Sequence, residues 1–265
     1  DEVVAESTPN AKDFVKKCPI FFFGLSRQGK STLVNDLMEV LGSSDRPAKE
    51  SFDKPCTRGV RVHSKLCDNW TTPGVEEEVL LIDTEGWEFG KKPGDLFKQC
   101  MSLAKEANIQ AKVLQHRLVL VLCLKGEDRS LIHDKKFFGL VKGICKQAAH
   151  AAGGGKPVLL PVLTMSDLFR KEDDYHSVLG KFKCALQEVG NIVTVQDAVS
   201  VSHYDAELGN RPSVQELRQV LAAICTEQLK SWHILEAAKE IIEVDLKKCL
   251  MAWSQKGIDA DHALV

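Results

Sequence analysis

No stretch of this chain is apolar for the roughly 20 residues that a membrane-spanning helix needs, so nothing in the sequence calls for a bilayer-spanning role. None of its nine cysteines stands in a Cys-x-x-Cys pair; they are scattered singly at 18, 56, 67, 100, 123, 145, 184, 225 and 249. That spacing argues against a zinc site, and the odd count argues against a disulfide framework. Cys123 and Cys225 fall in apolar runs and read as small buried hydrophobes. The eight histidines show no ligand spacing either, and His133 and His150, which flank a helical stretch, read as surface groups. Neither sign of charge predominates: 35 Lys and Arg stand against 37 Asp and Glu, a formal net charge of −2. Such a balance exerts no global attraction on nucleic acid or on an anionic membrane. The short lysine clusters (Lys12, Lys16 and Lys17; Lys91 and Lys92) read as solvated faces, which leaves membrane association open without indicating it. The N-terminus, Asp1-Glu2-Val3-Val4-Ala5-Glu6, is acidic and has no signal-peptide core. Its start on Asp rather than Met reads as a chain cut from a longer protein or processed. A reducing, cytoplasmic setting is the expectation, and no internal repeat is visible.

What is there is a succession of strand-like and helix-like segments. With 265 residues, 44% of them hydrophobic, the chain can build one large α/β domain and an appendage. A strand at 19–23 and a helix to about 42 are followed by a polar loop from Gly42 to Arg58. Gly59–Cys67 reads as an edge strand and Glu78–Asp83 as a buried one. A helix over 94–108, a strand over His116–Leu124 and a helix over Leu131–Ala151 come next, the last stopped by Gly153-Gly154-Gly155. Pro157–Thr164 is a strand, Tyr175–Val189 a helix and Ile192–Ser202 a last strand. The pattern predicts a three-layer α/β fold, a mainly parallel six-stranded sheet with helices on both faces. From Ser213 to Lys256 there is neither Gly nor Pro, and apolar residues recur at helical spacing. This predicts a final helix that runs on, or folds back, as a C-terminal helical extension; Trp232 and Trp253 read as core positions, with a partner-facing role as the alternative. The expected divisions are an N-terminal segment (1–17), a main domain (18–230) and the extension (231–265).

The chemistry concentrates in one loop. Gly24-Leu25-Ser26-Arg27-Gln28-Gly29-Lys30-Ser31 has the spacing Gly-x4-Gly-Lys-Ser, preceded by the apolar Ile20-Phe21-Phe22-Phe23 and followed by a helical run from Ser31 and Thr32. Such a loop turns backbone N–H groups toward phosphates at a helix N-terminus. Lys30 would reach the β- and γ-phosphates and Ser31 would offer its hydroxyl to Mg2+. Asp83-Thr84-Glu85-Gly86 ends a strand as Asp-x-x-Gly does, with Asp83 directed to Mg2+ and the Gly86 amide to a γ-phosphate. Thr57, in the loop between, is the candidate switch threonine, with Thr71 and Thr72 as rivals too close to the following strand. Thr164-Met165-Ser166-Asp167 stands where a guanine-reading Asn/Thr-Lys-x-Asp is expected. Asp167 would accept from the guanine N1–H and N2 amine, though it also reads as a helix cap, and Met165 replaces the lysine. Ser200-Val201-Ser202 closes the last strand, where Ser202 could support the base edge. The implied ligands are GTP or GDP with Mg2+.

These residues resemble the translation-factor-related P-loop GTPases, and within them the dynamin-related guanylate-binding proteins and atlastins. The likeness rests on the loop with its internal Arg27, on Thr57-Arg58-Gly59, on Asp83-Thr84-Glu85-Gly86 and on Thr164-x-x-Asp167. It spans roughly residues 20–167. Departures are Ser166 in place of an arginine, Pro55 where a switch serine is expected, and a domain end more like a small Ras-type or immunity-associated GTPase. The resemblance implies a GTP-hydrolysing switch or assembly protein that dimerises through this domain in a nucleotide-dependent way. In Ras-like enzymes a glutamine after Asp-x-x-Gly orients the attacking water; here Trp87 holds that position. Arg27 then becomes the implied catalytic group, alongside Lys30 and Thr57, with Arg58 as second candidate. A solvated loop arginine is the plainer reading. A pseudo-GTPase that binds without turnover and an ATP-using P-loop protein are the alternatives.

Overall fold

A strand buried on both faces has no polar side to show, so it reads as an unbroken apolar run. Four such runs form the centre of one sheet in the computed structural model, which describes residues 17–48, 59–86, 98, 102, 116–152, 155–165, 172–202 and 214–262. In chain order the elements are β1 (Lys17–Phe23), α1 (Lys30–Val40), β2 (Val60–Asp68), β3 (Glu76–Thr84), β4 (Val119–Lys125), α2 (Lys135–Ala151), β5 (Val158–Thr164), α3 (Glu172–Leu186), the short β6 (Thr194–Val195) and β7 (Val199–Ser200), and α4 (Val214–His262).

The strand order is β2-β3-β1-β4-β5-β6, with β7 also on β5. β1 runs parallel to both β3 and β4, and β4 to β5; only β2, at the edge, is antiparallel. The chain therefore leaves β1 first toward β3 and later crosses to β4. Ligands of open α/β sheets bind outside the carboxyl ends of the strands at such a reversal. The register sets those ends side by side, with Phe22 beside Asp83, Phe23 beside Leu122 and Lys125 beside Thr164.

One face of the sheet, carrying Ile20, Phe22, Leu81, Val121 and Leu160, packs in a common core with Leu33, Val34 and Leu37 of α1 and with Leu217 and Leu221 of α4. Strand side chains alternate, so Phe21, Phe23, Ile82 and Leu122 project from the opposite face, where they are also buried. α2 contributes buried Phe137, Val141, Ile144, Cys145 and Ala148, a helical stripe. A mostly parallel mixed sheet flanked by helices is thus the architecture.

The differences from expectation have local causes. The strand expected over Ile192–Ser202 is broken into two, so the described residues hold seven strands where six were expected. Val195 sits beside Leu159 and Val199 beside Val162, so this segment advances four residues while its partner advances three, and one residue bulges out. Asp197, in the bulge, pairs with Lys183 of α3. The helix expected from Leu131 starts instead as a 3-10 stretch over Gly126–His133. α2 begins only after Asp134, whose Oδ1 accepts from the Lys136 and Phe137 amides at 2.7 and 3.2 Å, a side-chain cap. Of the helix expected over 94–108, residues 98 and 102 are described and both are helical.

The chain divides into two compact units, Asp1–Thr226 and Glu227–Val265, a boundary four residues before the expected one. The second unit is helix throughout its described length: α4 continues to His262 without folding back.

Candidate functional site

The loop after β1 is forced close to the sheet. Gly24 has φ 152°, and a Cβ there would lie 2.5 Å from the Cys123 carbonyl oxygen of β4. Only glycine fits so near a backbone atom in that conformation. Gly24→Ala is expected to lower stability by about 2–4 kcal/mol, from backbone strain and overpacking together. A urea denaturation midpoint checks it. Gly29, at φ 72°, caps α1 without a side chain, and the first turn of that helix carries no acidic residue. Its N-terminal amides are thus left to something other than a side-chain cap, the condition under which a helix start receives an anion.

Side chains of the loop brace it. Gln28 is buried; its Nε2 donates to Asp128 Oδ2 at 2.6 Å, while its Oε1 accepts from the Lys125 amide at 2.5 Å. Thr164 Oγ1 donates to the Gln28 carbonyl at 2.9 Å. Gln28 and Thr164, both expected at the nucleotide, direct these polar atoms to the loop, to the end of β4 and to the 3-10 stretch after it, so they hold its shape. Lys30 is buried too, and its Nζ donates to the carbonyls of Leu25 at 2.8 Å and Gly24 at 3.3 Å. The ammonium is thereby kept inside the loop.

Ser31 and Thr32 lie half-buried in the first turn of α1. Ser31 Oγ donates to Oδ2 of the fully buried Asp83, 2.8 Å away across 52 residues of chain. Thr84 Oγ1 donates to the Phe22 carbonyl at 2.7 Å, fixing the end of β3 against β1. Gly86 comes so near the loop that a Cβ on it would sit 2.3 Å from Ser26 Cα. The Asp-x-x-Gly turn and the Gly-rich loop are therefore in contact, which spacing alone left as an expectation. Glu85 extends the link: its amide donates to the Gly59 carbonyl at 2.6 Å and its Oε2 accepts from the Gly59 amide at 2.8 Å. Asn35 holds the start of the other loop, exchanging two bonds with the Ala48 backbone at 2.9 and 2.8 Å.

Arg27 is exposed at the loop tip with φ 64°, a left-handed conformation uncommon for a residue with a side chain. Ser202 follows β7, where the Val201 amide donates to the Leu163 carbonyl at 2.8 Å, so it stands at the same sheet edge as Thr164. Thr57 and Asp167 lie outside the described residues, as do Arg58, Trp87 and Ser166.

Burial pushes the Cys123 thiol up to about 12, despite the nearby Lys30 charge, so it is a neutral packing group beneath the loop. His63, on β2, is pulled below its ordinary value near 6.5, first by burial, with the Asp83 charge opposing and Arg61 adding to the effect. A histidine whose pKa is depressed in the fold contributes stability in full above its unfolded value, and loses it as pH falls through that value toward the folded one. Urea midpoints measured at pH 7.5 and 5.5 should therefore fall on acidification, and His63→Gln should flatten that part of the profile.

The braces went unread because they join residues far apart: Gln28 to Asp128 and Asn35 to Ala48 carry no motif. Only the helical position of Asn35, one turn before the apolar Met38, gave a signal. Compared with models of known protein families and with curated proteins, the chain matches none.

Proposed function

We propose that the main domain is a P-loop GTPase that binds GTP or GDP with Mg2+ on loop 24–31 and hydrolyses GTP. It would be slow alone and faster when two copies meet across the nucleotide face, in a cytoplasmic setting. One observation carries this reading: the 2.8 Å bond between Ser31 and Asp83, made at the uncapped start of α1 beside buried Lys30. Each of the three has a task that the others do not duplicate. The amides of the loop and of the first helical turn bind phosphate oxygens, and Lys30 adds a positive charge held from below by two carbonyls. Ser31 and Asp83 supply hard oxygen donors, the chemistry Mg2+ takes, and it accepts one or two protein ligands when phosphates complete the set. No group of three or more His, Cys, Asp or Glu among the described residues could hold a metal unaided, which suits a cation brought in with nucleotide. When bound, Mg2+ neutralises charge developing between the phosphates.

Gly86, pressed against Ser26, sits where its amide could report a γ-phosphate, and Glu85 would pass that state to Gly59 and the loop holding Thr57. Asp167 would read the base as guanine, with Ser202 as the candidate at the base edge.

Calorimetric titration with GDP, GTP and ATP, with and without Mg2+, tests the reading. Lys30→Ala should weaken guanine-nucleotide binding about 10- to 100-fold, the loss of a charge-assisted bond. Asp83→Asn should remove most of the Mg2+ dependence. Equal affinity for ATP, unaffected by Asp167→Asn, would move the assignment to an ATP-using protein. Tight GTP binding without turnover at any protein concentration favours a pseudo-GTPase, the reading that Trp87 in place of a water-orienting glutamine supports.

A further inference from the structure

In the second unit, α4 carries large apolar side chains in the open: Ile234 is 71% exposed, Ile241 64% and Met251 67%, with Leu235, Ile242 and Val244 also exposed. At about 100° per residue, Glu236, Lys239, Glu240, Glu243 and Lys247 share one sector of about 100° with the exposed Leu250, and the apolar residues just named occupy the rest. A helix sorted in this way is one whose broad side is covered, and proteins seldom leave so long an apolar stripe to water. A membrane surface is a poor match. The polar sector holds three glutamates against two lysines, whereas helices that lie on membranes carry a basic polar face.

Two charges interrupt the stripe. Asp245 and Lys248 lie within the apolar side, with Oδ1 and Nζ 3.5 Å apart, and they specify the partner. In a parallel, in-register pair of such helices, each Asp245 would meet its own copy and each Lys248 likewise, which is repulsive. In an antiparallel pair, a twofold axis midway between them sets Asp245 of each copy opposite Lys248 of the other. The same axis sets Ile241 opposite Ala252, so apolar meets apolar on both sides of the charged pair. This is the self-complementarity an isologous interface requires, and charges within such a seam fix orientation and register.

We infer that the 241–252 stretch of α4 pairs antiparallel with the same stretch of a second copy, with Asp245 and Lys248 exchanging partners at the dyad. This contact is independent of nucleotide and distinct from the pairing proposed across the nucleotide face.

Sedimentation equilibrium of the full chain with GDP should show a concentration-dependent dimer. Asp245→Lys and Lys248→Asp each set like charges across the dyad, and each alone should raise the dissociation constant about 10-fold or more. Mixed in equal amounts, the two variants should pair with one another, because the basic seam of one faces the acidic seam of the other. The intrahelical ion pair is lost in both variants, so recovery on mixing reads only the contact between copies; far-UV circular dichroism confirms that both are folded. A parent chain that stays monomeric with GDP and dimerises only with GDP–aluminium fluoride overturns the inference while supporting the nucleotide-face contact. Variants that dimerise alone as the parent does, or fail to pair when mixed, overturn it as well.

Discussion

Arg117→Ala should be among the most destabilising single changes in this chain, lowering unfolding free energy by about 3–5 kcal/mol. Arg117 and Glu77 are both fully buried, with Nη2 and Oε2 3.6 Å apart. The same Nη2 donates to Cys18 Sγ at 2.8 Å, and Cys18 Sγ donates to Glu77 Oε2 at 3.4 Å. Thr71 Oγ1 donates to the other Glu77 oxygen. Burial, and then the hydrogen bond with Cys225, push the Cys18 thiol well above its usual range, so it serves as a neutral bridge between the two charges. Removing the guanidinium leaves a carboxylate in the interior held by the Cys18 thiol and the Thr71 hydroxyl without a countercharge from Arg117, and such a charge is far costlier than the pair. Arg117→Lys keeps the charge but loses the planar fork, so it should lie between. The double replacement Arg117→Met with Glu77→Leu should recover most of the loss, since an apolar pair of similar volume can substitute for a buried ion pair. Denaturant midpoints of the four proteins decide the matter. A loss below about 1 kcal/mol in Arg117→Ala would mean that water reaches Glu77.

This cluster also shows where the sequence stopped being legible. The strands could be read because each of β1, β4 and β5 is buried on both faces, and a short unbroken apolar run between turn residues suits a doubly covered strand. The phosphate-type loop could be read because its geometry is local: eight consecutive residues carry the glycines, the lysine and the serine. Asp83 could be placed because it ends a strand that had to lie beside β1. Arg117 and Glu77 gave no such sign. Arg117 is one charge beside an apolar run and Glu77 the middle of three glutamates before another, and the parallel register of β1, β3 and β4 brings them together across about 40 residues. Gln28 reads as a nucleotide-facing residue of the loop, and its bracing role shows once β4 and the 3-10 stretch behind it are in place. The break in the last strand was hidden for a related reason. A one-residue bulge changes register without changing composition, and β-propensity is blind to it.

Arg27→Ala should reduce GTP turnover at high protein concentration by about 10^3-fold or more, the scale on which an arginine supplied to the phosphates acts, while changing GDP affinity little. Trp87 stands after Asp83-Thr84-Glu85-Gly86, and an indole, with one N–H donor and no acceptor, cannot orient an attacking water. Lys30 is held inside the loop by the Gly24 and Leu25 carbonyls, and Gln28 is committed to Asp128 and Lys125. Arg27 is the exposed cation of the loop, raised at its tip by a left-handed backbone. Because φ at Arg27 is 64°, alanine adds backbone strain and could lower activity for that reason alone. Arg27→Gly removes the strain together with the side chain, so it is the sharper variant. Equal losses in the glycine and alanine variants assign the effect to the guanidinium. Recovery in Arg27→Gly would assign it to loop geometry and leave the catalytic group elsewhere. Arg27→Lys separates the two remaining readings. A point charge that restores turnover indicates simple electrostatic stabilisation, whereas continued loss indicates that two phosphate oxygens must be held at once by the planar fork. Turnover measured against protein concentration supplies the last discrimination, because a residue acting only after two copies meet should leave the low-concentration rate of every variant nearly the same.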